Sequence, residues 1–126
     1  MKLLDDFYSI KQATGEGTNF DYVLSLNQEH FIYKAHFPEN PITPGVCIIQ
    51  ICKELMELHS GERLSLKKIH NVKFLSIIDP TAVDAVRVSF SKISAVEEGY
   101  KVSVLVHSET AQFAKLSLYL AINNEQ

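Results

Sequence analysis

The sequence predicts an α+β fold in which a mostly antiparallel sheet curls around one long, buried helix. Three observations support this prediction. Two short alternating segments at the start form a hairpin, one apolar segment without a helix breaker follows near residue 45, and further alternating segments fill the rest of the chain. A single helix cannot cover both faces of a wide sheet, so we expect the sheet to curve and the chain to pair with a copy of itself.

The first elements are indicated by alternation and by glycine. Residues 6–12 look like a strand, residues 13–19 form a turn with two glycines, and residues 20–27 alternate apolar and polar side chains, so a hairpin is predicted. Residues 30–42 are proline-rich and are predicted to be an irregular loop. After the helix, strands are predicted at 64–78, 85–93, 100–108 and 111–122.

The predicted helix covers residues 45–59. Thr43 is its candidate N-cap and Pro44 takes the first helical position, where a missing N–H group costs nothing. The first half of the helix is apolar nearly all round, which predicts that other structure surrounds it. The second half is amphipathic, with its polar residues on one stripe: Gln50, Lys53, Glu54 and Glu57.

Size and composition limit the possible functions. The chain of 126 residues suits one domain over residues 1–126, and its net charge of −3 gives no support to nucleic-acid binding. The first ten residues have no apolar stretch typical of a signal peptide, and no apolar segment of about 18 residues indicates a membrane span. Cys47 and Cys52 are predicted to be reduced thiols, and no cysteine or histidine pair has zinc-ligand spacing. We therefore expect a cytoplasmic protein.

His36 is the candidate chemical group. It lies among Pro38, Pro41 and Pro44, which restrict the backbone around it. A histidine can accept and donate a proton near pH 7. Gly45 lies in the first turn of the helix, where an N–H group and the helix dipole could stabilise an oxygen that gains negative charge. His36 and the Gly45 N–H are thus a candidate base and oxyanion donor, and the alternative is that His36 only supports the turn.

The segment HFPENPITPGVCIIQ resembles the signature of the (3R)-hydroxyacyl-acyl carrier protein dehydratases, which belong to the hotdog-fold superfamily. The order of the predicted elements over the whole chain also fits this family. The resemblance implies a hotdog fold and a dimer, or a higher even-numbered oligomer, with the site at the interface between subunits. Seven residues match the signature at the family's spacing: His36, Phe37, Pro38, Pro41, Pro44, Gly45 and Val46.

The function implied by this resemblance is that of a hydro-lyase in fatty acid or polyketide/polyene-type biosynthesis. Its substrate would be an acyl thioester on the phosphopantetheine of acyl carrier protein, held in an apolar tunnel, with no metal or redox cofactor. His36 would remove the α-proton, and the backbone at Gly45 and Val46 would bind the thioester carbonyl. Phe37 and the prolines would frame the site, and an acid on the partner's helix would help the β-hydroxyl to leave as water.

The sequence departs from the family at this acid. The family's acid lies fourteen residues after its histidine, where this chain has Gln50, and an amide cannot deliver a proton. Glu54 stands where the family often has glutamine, so the two residue types are exchanged. Several hypotheses stay open. Glu54 could reach the site, or be an ordinary surface acid. The chain could pair with an acid-bearing relative in a heterodimer. It could rely on His36 alone or catalyse another reaction, such as that of a hotdog thioesterase.

Other charged residues have weaker expectations. His30, His59, His70 and His107 form no spaced pair, so they are predicted to be surface or strand residues. Lysines and arginines after the helix are either ordinary solvated charges or a surface that attracts an acidic carrier protein. These cations are Lys67, Lys68, Lys73, Arg87 and Lys92.

Overall fold

The computed structural model describes residues 2–36 and 39–123. Within these residues, a six-stranded sheet packs on one long helix, and a second, short helix precedes it. The strands are β1 (Tyr8–Glu16), β2 (Asn19–Leu26), β3 (Leu64–Phe74), β4 (Val86–Val96), β5 (Gly99–His107) and β6 (Gln112–Ile122). The helices are α1 (Phe31–His36) and α2 (Gly45–Ser60).

All pairs of neighbouring strands are antiparallel, and their order in the sheet is β1-β2-β4-β5-β6-β3. The predicted hairpin is β1 and β2, but its turn is shorter than expected because both strands continue almost to Gly17. Strand β3 follows α2 in the chain and pairs only with β6, so it lies at the sheet edge opposite β1. The predicted α+β architecture is confirmed.

The core lies between α2 and one face of the sheet. Apolar side chains of the helix are buried against inward residues of the strands, such as Val88 and Leu118. Each such side chain contributes about 1.5–3 kcal/mol through burial. Cys47 and Cys52 are both free and buried, and burial raises the pKa of the Cys52 thiol to about 12. The buried apolar residues of α2 are Cys47, Ile48, Ile51, Cys52, Leu55 and Met56.

The structure corrects the prediction of an irregular loop over residues 30–42. Residues Phe31–His36 form helix α1, which buries Ile32 and Tyr33. The preceding His30 is itself buried, and its Nδ1 accepts a hydrogen bond from the Ile32 N–H at 3.1 Å. This local bond and the burial of two side chains stabilise about one and a half helical turns. The high proline content of the segment gave no indication of this helix. The prediction that His30 is a surface or strand residue was therefore wrong.

The start of α2 differs from the prediction in one detail. Its N-cap is Pro44, which makes no side-chain capping bond, and not Thr43. The Thr43 hydroxyl is instead 2.9 Å from the Tyr33 hydroxyl, and the Thr43 N–H donates to the Ile78 carbonyl at 3.0 Å. The helix ends at Ser60, one residue beyond the predicted range, and Gly61 follows in the left-handed conformation at φ 75°. Neither helix of the described ranges is long and apolar enough to cross a membrane.

Candidate active site

His36 is the last residue of α1 and is exposed. Lys34 lies in the same last turn, so two basic side chains occupy the end of the helix where the dipole favours positive charge. Phe37 and Pro38, two of the predicted framing residues, lie outside the described residues. The structure thus places the candidate base at a helix end open to solvent or to another chain.

The first turn of α2 provides the candidate oxyanion donors. Pro44 has an extended backbone, and its carbonyl accepts hydrogen bonds from the Cys47 and Ile48 N–H groups at 3.0 and 3.2 Å. The N–H groups of Gly45 and Val46 come earlier and have no acceptor within the helix. Two adjacent N–H groups at the positive end of a sixteen-residue helix can stabilise an oxyanion.

Phe74, at the end of β3, is a site residue that the sequence interpretation missed. A Cβ atom on Gly45 would lie 2.6 Å from the Phe74 Cζ, so the ring packs closely on the glycine and would have to move if a larger residue stood there. The side chain remains 54% exposed. Phe74 therefore borders the approach to the start of α2, and no sequence signal indicated it, because the contact depends on where β3 ends.

Glu54 lies in a buried cluster of hydrogen-bond donors. It is 5% exposed, and its Oε2 accepts from the Leu3 N–H at 2.8 Å and from the Gln50 Nε2 at 2.7 Å. Its Oε1 accepts from the Leu4 N–H at 2.8 Å and from the Tyr8 hydroxyl at 3.0 Å. The alternative of an exposed or lysine-paired surface acid was therefore wrong. A buried carboxylate with four donors is a stabilised charge.

The electrostatic effect of this cluster is visible at Tyr8. Burial raises the pKa of the Tyr8 hydroxyl far above its usual range, and the negative charge and hydrogen bond of Glu54 raise it further. The hydroxyl is thus a fixed donor at any physiological pH. Glu54 is held by neutral donors and is not paired with a cation by any salt bridge of the described residues.

Gln50 and Glu54 are brought together, one turn apart on α2, as the predicted polar stripe requires. Both border an open cleft of about 570 Å³ between the chain start and the end of α2. His36 does not line this cleft, and the donors to Glu54 come from Leu3, Leu4, Tyr8 and Gln50. Within one chain, the candidate base and the helix acid therefore belong to different regions.

An apolar pocket lies between α2 and the sheet, bordered by Ile48, Ile51 and Val106. Its volume is about 10 Å³, which is about the space of one water molecule and too small for an acyl chain. No group of three or more metal-ligating side chains occurs in the described ranges 2–36 and 39–123.

An antiparallel sheet on one long helix, preceded by a short helix that ends in a histidine, defines a hotdog-fold protein. The model of the ApeI-like dehydratase family matches residues 11–115, and the chain belongs to this family.

Similar proteins agree with this assignment. The 3-hydroxyacyl-[acyl-carrier-protein] dehydratase FabZ of Chlamydia abortus is 29% identical over 106 residues, which cover 77% of this chain and 68% of that protein. The dehydratase heterocomplex ApeI:P of Xenorhabdus doucetiae has a chain with a TM-score of 0.70 at 15% identity, covering 89% of this chain and 96% of that one. A hypothetical thioesterase of Streptococcus pneumoniae, solved with coenzyme A, has a TM-score of 0.65 at 7% identity, with coverages of 99% and 95%. The two structures show the fold alone.

Proposed function

We propose that this chain is one subunit of a dehydratase that acts on 3-hydroxyacyl thioesters carried by acyl carrier protein, with an active site completed by an acid-bearing partner chain. The proposal is based on the environment of Glu54, the acid of α2, and on the residue at the family's acid position. Glu54 is buried and holds four donors, and the family's acid position is occupied by the amide of Gln50. His36 is exposed and does not line the cleft that Gln50 and Glu54 border.

The proposed reaction uses three groups. The His36 imidazole takes the α-proton, and the N–H groups at the start of α2 stabilise the negative charge that develops on the thioester oxygen. The bond between the β-carbon and the hydroxyl then breaks, and a carboxylic acid of the partner chain protonates the leaving oxygen. The products are the α,β-unsaturated thioester and water.

A partner chain is supported by the edge of the sheet. Leu66, Ile69 and Phe74 lie on the inward face of β3, opposite Leu120, Leu118 and Ala114 of β6, yet they are 40%, 44% and 54% exposed. An edge strand with an apolar face left open is suited to a partner. The dehydratase heterocomplex ApeI:P from Xenorhabdus doucetiae is a precedent for a dehydratase that contains different chains.

An acyl carrier protein as substrate carrier is supported by the outward face of the sheet. Lys73 and Lys115 stand directly opposite each other there, and Lys115 and Lys92 border a shallow groove of about 380 Å³. No salt bridge of the described residues involves these lysines. Unpaired cations on one face attract acidic proteins. The Chlamydia abortus relative is named for a carrier-linked substrate, which agrees with this proposal.

The test is hydration of a crotonyl thioester on carrier protein, the reverse of the proposed reaction. We expect the chain alone to be slower by about 10²–10⁴-fold than its complex with a family member that has an acid at the position of Gln50. Activity of the complex should be lost when His36 of this chain is replaced by alanine. Full activity of the chain alone would contradict the need for a partner acid.

The same assay separates the alternative activity. Hotdog proteins host several thioester reactions, and the fold is shared with a hypothetical thioesterase. Release of free thiol without formation of the hydroxyacyl product would favour a thioesterase. Hydration without release of thiol would favour the dehydratase.

A further inference from the structure

The chain start forms a compact turn that contacts both helices. In the segment Leu3–Tyr8, the N–H groups of Asp6, Phe7 and Tyr8 all donate to the Leu3 carbonyl, at 3.1, 2.8 and 3.3 Å. Asp5 has a positive φ of 66°, a left-handed conformation that aspartate adopts more readily than most non-glycine residues. Leu3, Phe7 and Tyr8 are buried, so the turn is an integral part of the core.

One side of this turn is held by α2. The backbone N–H groups of Leu3 and Leu4 and the hydroxyl of Tyr8 all donate to the Glu54 carboxylate, at 2.8, 2.8 and 3.0 Å. Bonds to a buried charge are the strong class of protein hydrogen bonds. Glu54 therefore fixes the position of the turn at both its first and last residues.

The other side of the turn holds α1. The Phe7 ring stacks on the Tyr33 ring with centroids 4.9 Å apart and meets the His30 ring edge-on at 5.2 Å. The His30 Nε2 is 3.1 Å from the Asp6 carboxylate. Since the His30 Nδ1 accepts a hydrogen bond from Ile32, the Nε2 is the nitrogen that donates to Asp6. These contacts fix the positions of His30, which precedes α1, and of Tyr33, in the middle of α1.

We propose that Glu54 is a positioning residue for His36, which it orients through the chain-start turn and α1. The contacts run from Glu54 to Leu3–Tyr8, from Phe7 and Asp6 to α1, and along α1 to its last residue. The functional part of this inference rests on the proposed role of His36 as the base. The helix acid of this chain thus supports the base rather than delivering a proton.

The same geometry explains why position 50 has an amide. Gln50 donates to the Glu54 Oε2 at 2.7 Å, so a glutamate there would place two carboxylates in contact inside a cluster built for one. Gln50→Glu alone should therefore loosen the turn and give no gain of activity. The double variant Gln50→Glu/Glu54→Gln keeps a donor facing an acceptor between the two positions, and it should hold the turn better than either single variant.

Hydrogen exchange on the whole chain tests the mechanical part. We expect Glu54→Gln to speed exchange of the chain-start amides and of the Ile32 and Tyr33 amides by about tenfold or more, because a buried charged acceptor is lost. Glu57→Gln is the matched control: Glu57 lies on the same helix and accepts the Leu64 N–H at 2.9 Å. It should speed exchange at Leu64 and leave α1 unchanged. The amides of β6 report global stability and normalise the comparison.

The result that overturns the proposal is faster exchange at Leu3–Tyr8 with α1 exchange equal to that of the wild type. If Glu54→Gln fails to fold, Tyr8→Phe removes one donor only and should give the same pattern with a smaller rise of about threefold. An unchanged α1 in the folded Tyr8→Phe protein would then overturn the proposal.

Kinetics of the complex with the acid-bearing partner test the functional part. We expect Glu54→Gln to lower kcat at least tenfold with little change in KM, since the substrate contacts remain and the base is displaced. Glu57→Gln should leave both constants unchanged. If the wild-type complex has no activity, the proposed function fails, but the exchange data still decide whether Glu54 orders α1. Normal kcat with a loosened α1 would contradict the positioning role.

Discussion

The start of α2 and its middle use polar groups in opposite ways. Near its start, the Gly45 and Val46 N–H groups have no acceptor within the helix, and His36 is exposed nearby in the chain. In its middle, Glu54 is buried and bound by four donors. A group that must act on a substrate has to keep capacity for bonding, whereas a group that stabilises the fold uses all of it.

This difference separates residues that the family signature treats as one site. The signature leads from His36 to Gly45 and onward to an acid on the helix. In this chain, His36 is exposed, whereas Glu54, the acid on the helix, lies in the protein interior. The comparison favours a site in which the base comes from this chain and the proton donor from another.

The largest expected effect is at His36, in the accessible region near the start of α2. In the complex with an acid-bearing partner, His36→Ala should lower the hydration rate by about 10²–10⁴-fold, because the general base is lost. The free energy of unfolding should change little, since the side chain is exposed. Lys34→Ala, an exposed position of the same helix, is the control and should keep activity. Equal losses in both variants would indicate that α1 itself, and not the imidazole, is needed.

The next largest effect is on stability and is expected at Glu54, in the buried middle of α2. Glu54→Ala leaves the buried Leu3 N–H and Tyr8 hydroxyl without their acceptor, so we expect it to lower the free energy of unfolding by about 3 kcal/mol. Glu57→Ala removes a half-buried acid with fewer donors and should cost about 1 kcal/mol. Urea denaturation of both variants measures the difference. A loss at Glu54 no larger than at Glu57 would contradict the distinction between the two regions.

A smaller effect is expected at the boundary of the accessible region near the start of α2. Gly45→Ala would place a methyl group 2.6 Å from the Phe74 Cζ, and the half-exposed ring can move away. We therefore expect little loss of stability but a loss of about tenfold to a hundredfold in kcat/KM, because the ring is displaced at the start of α2. Phe74→Ala in the same background should recover activity if the ring is the cause. No recovery would show that the methyl group itself blocks the substrate.

The sequence predicted the strands and α2 well, because their periodicity is imposed by burial on one side. It also singled out His36, Gly45 and Gln50 as candidate site residues, since these depend on spacing within one short segment, and their roles stay a prediction. Helix α1 was not predicted, because it depends on the burial of Ile32 and Tyr33, which is a tertiary effect, in addition to a local bond to the His30 ring.

The environment of Glu54 was beyond prediction for a different reason. Its donors Leu3, Leu4 and Tyr8 lie 51, 50 and 46 residues away along the chain, and two of them are backbone groups that leave no sequence pattern. The stripe on α2 correctly placed Gln50 and Glu54 on one side, but not what covers them. Gln50→Glu alone is therefore not expected to create an active acid, because the new carboxylate would face that of Glu54.

The smallest expected effect concerns the outward face of the sheet, away from both regions. Lys73→Glu should weaken the interaction with an acidic carrier protein, raising KM by about threefold at low salt and less at high salt. The same change should stabilise the fold by about 0.2–1 kcal/mol, because it turns the opposed pair Lys73 and Lys115 into one of opposite charge. Lys11→Glu, on β1 at the far edge of the sheet, controls for net charge. Equal rises in KM from both variants would show that the carrier responds to total charge and not to this face. A rise in KM confined to Lys73→Glu, in a protein that is also more stable, would show that the weaker interaction does not come from a damaged fold.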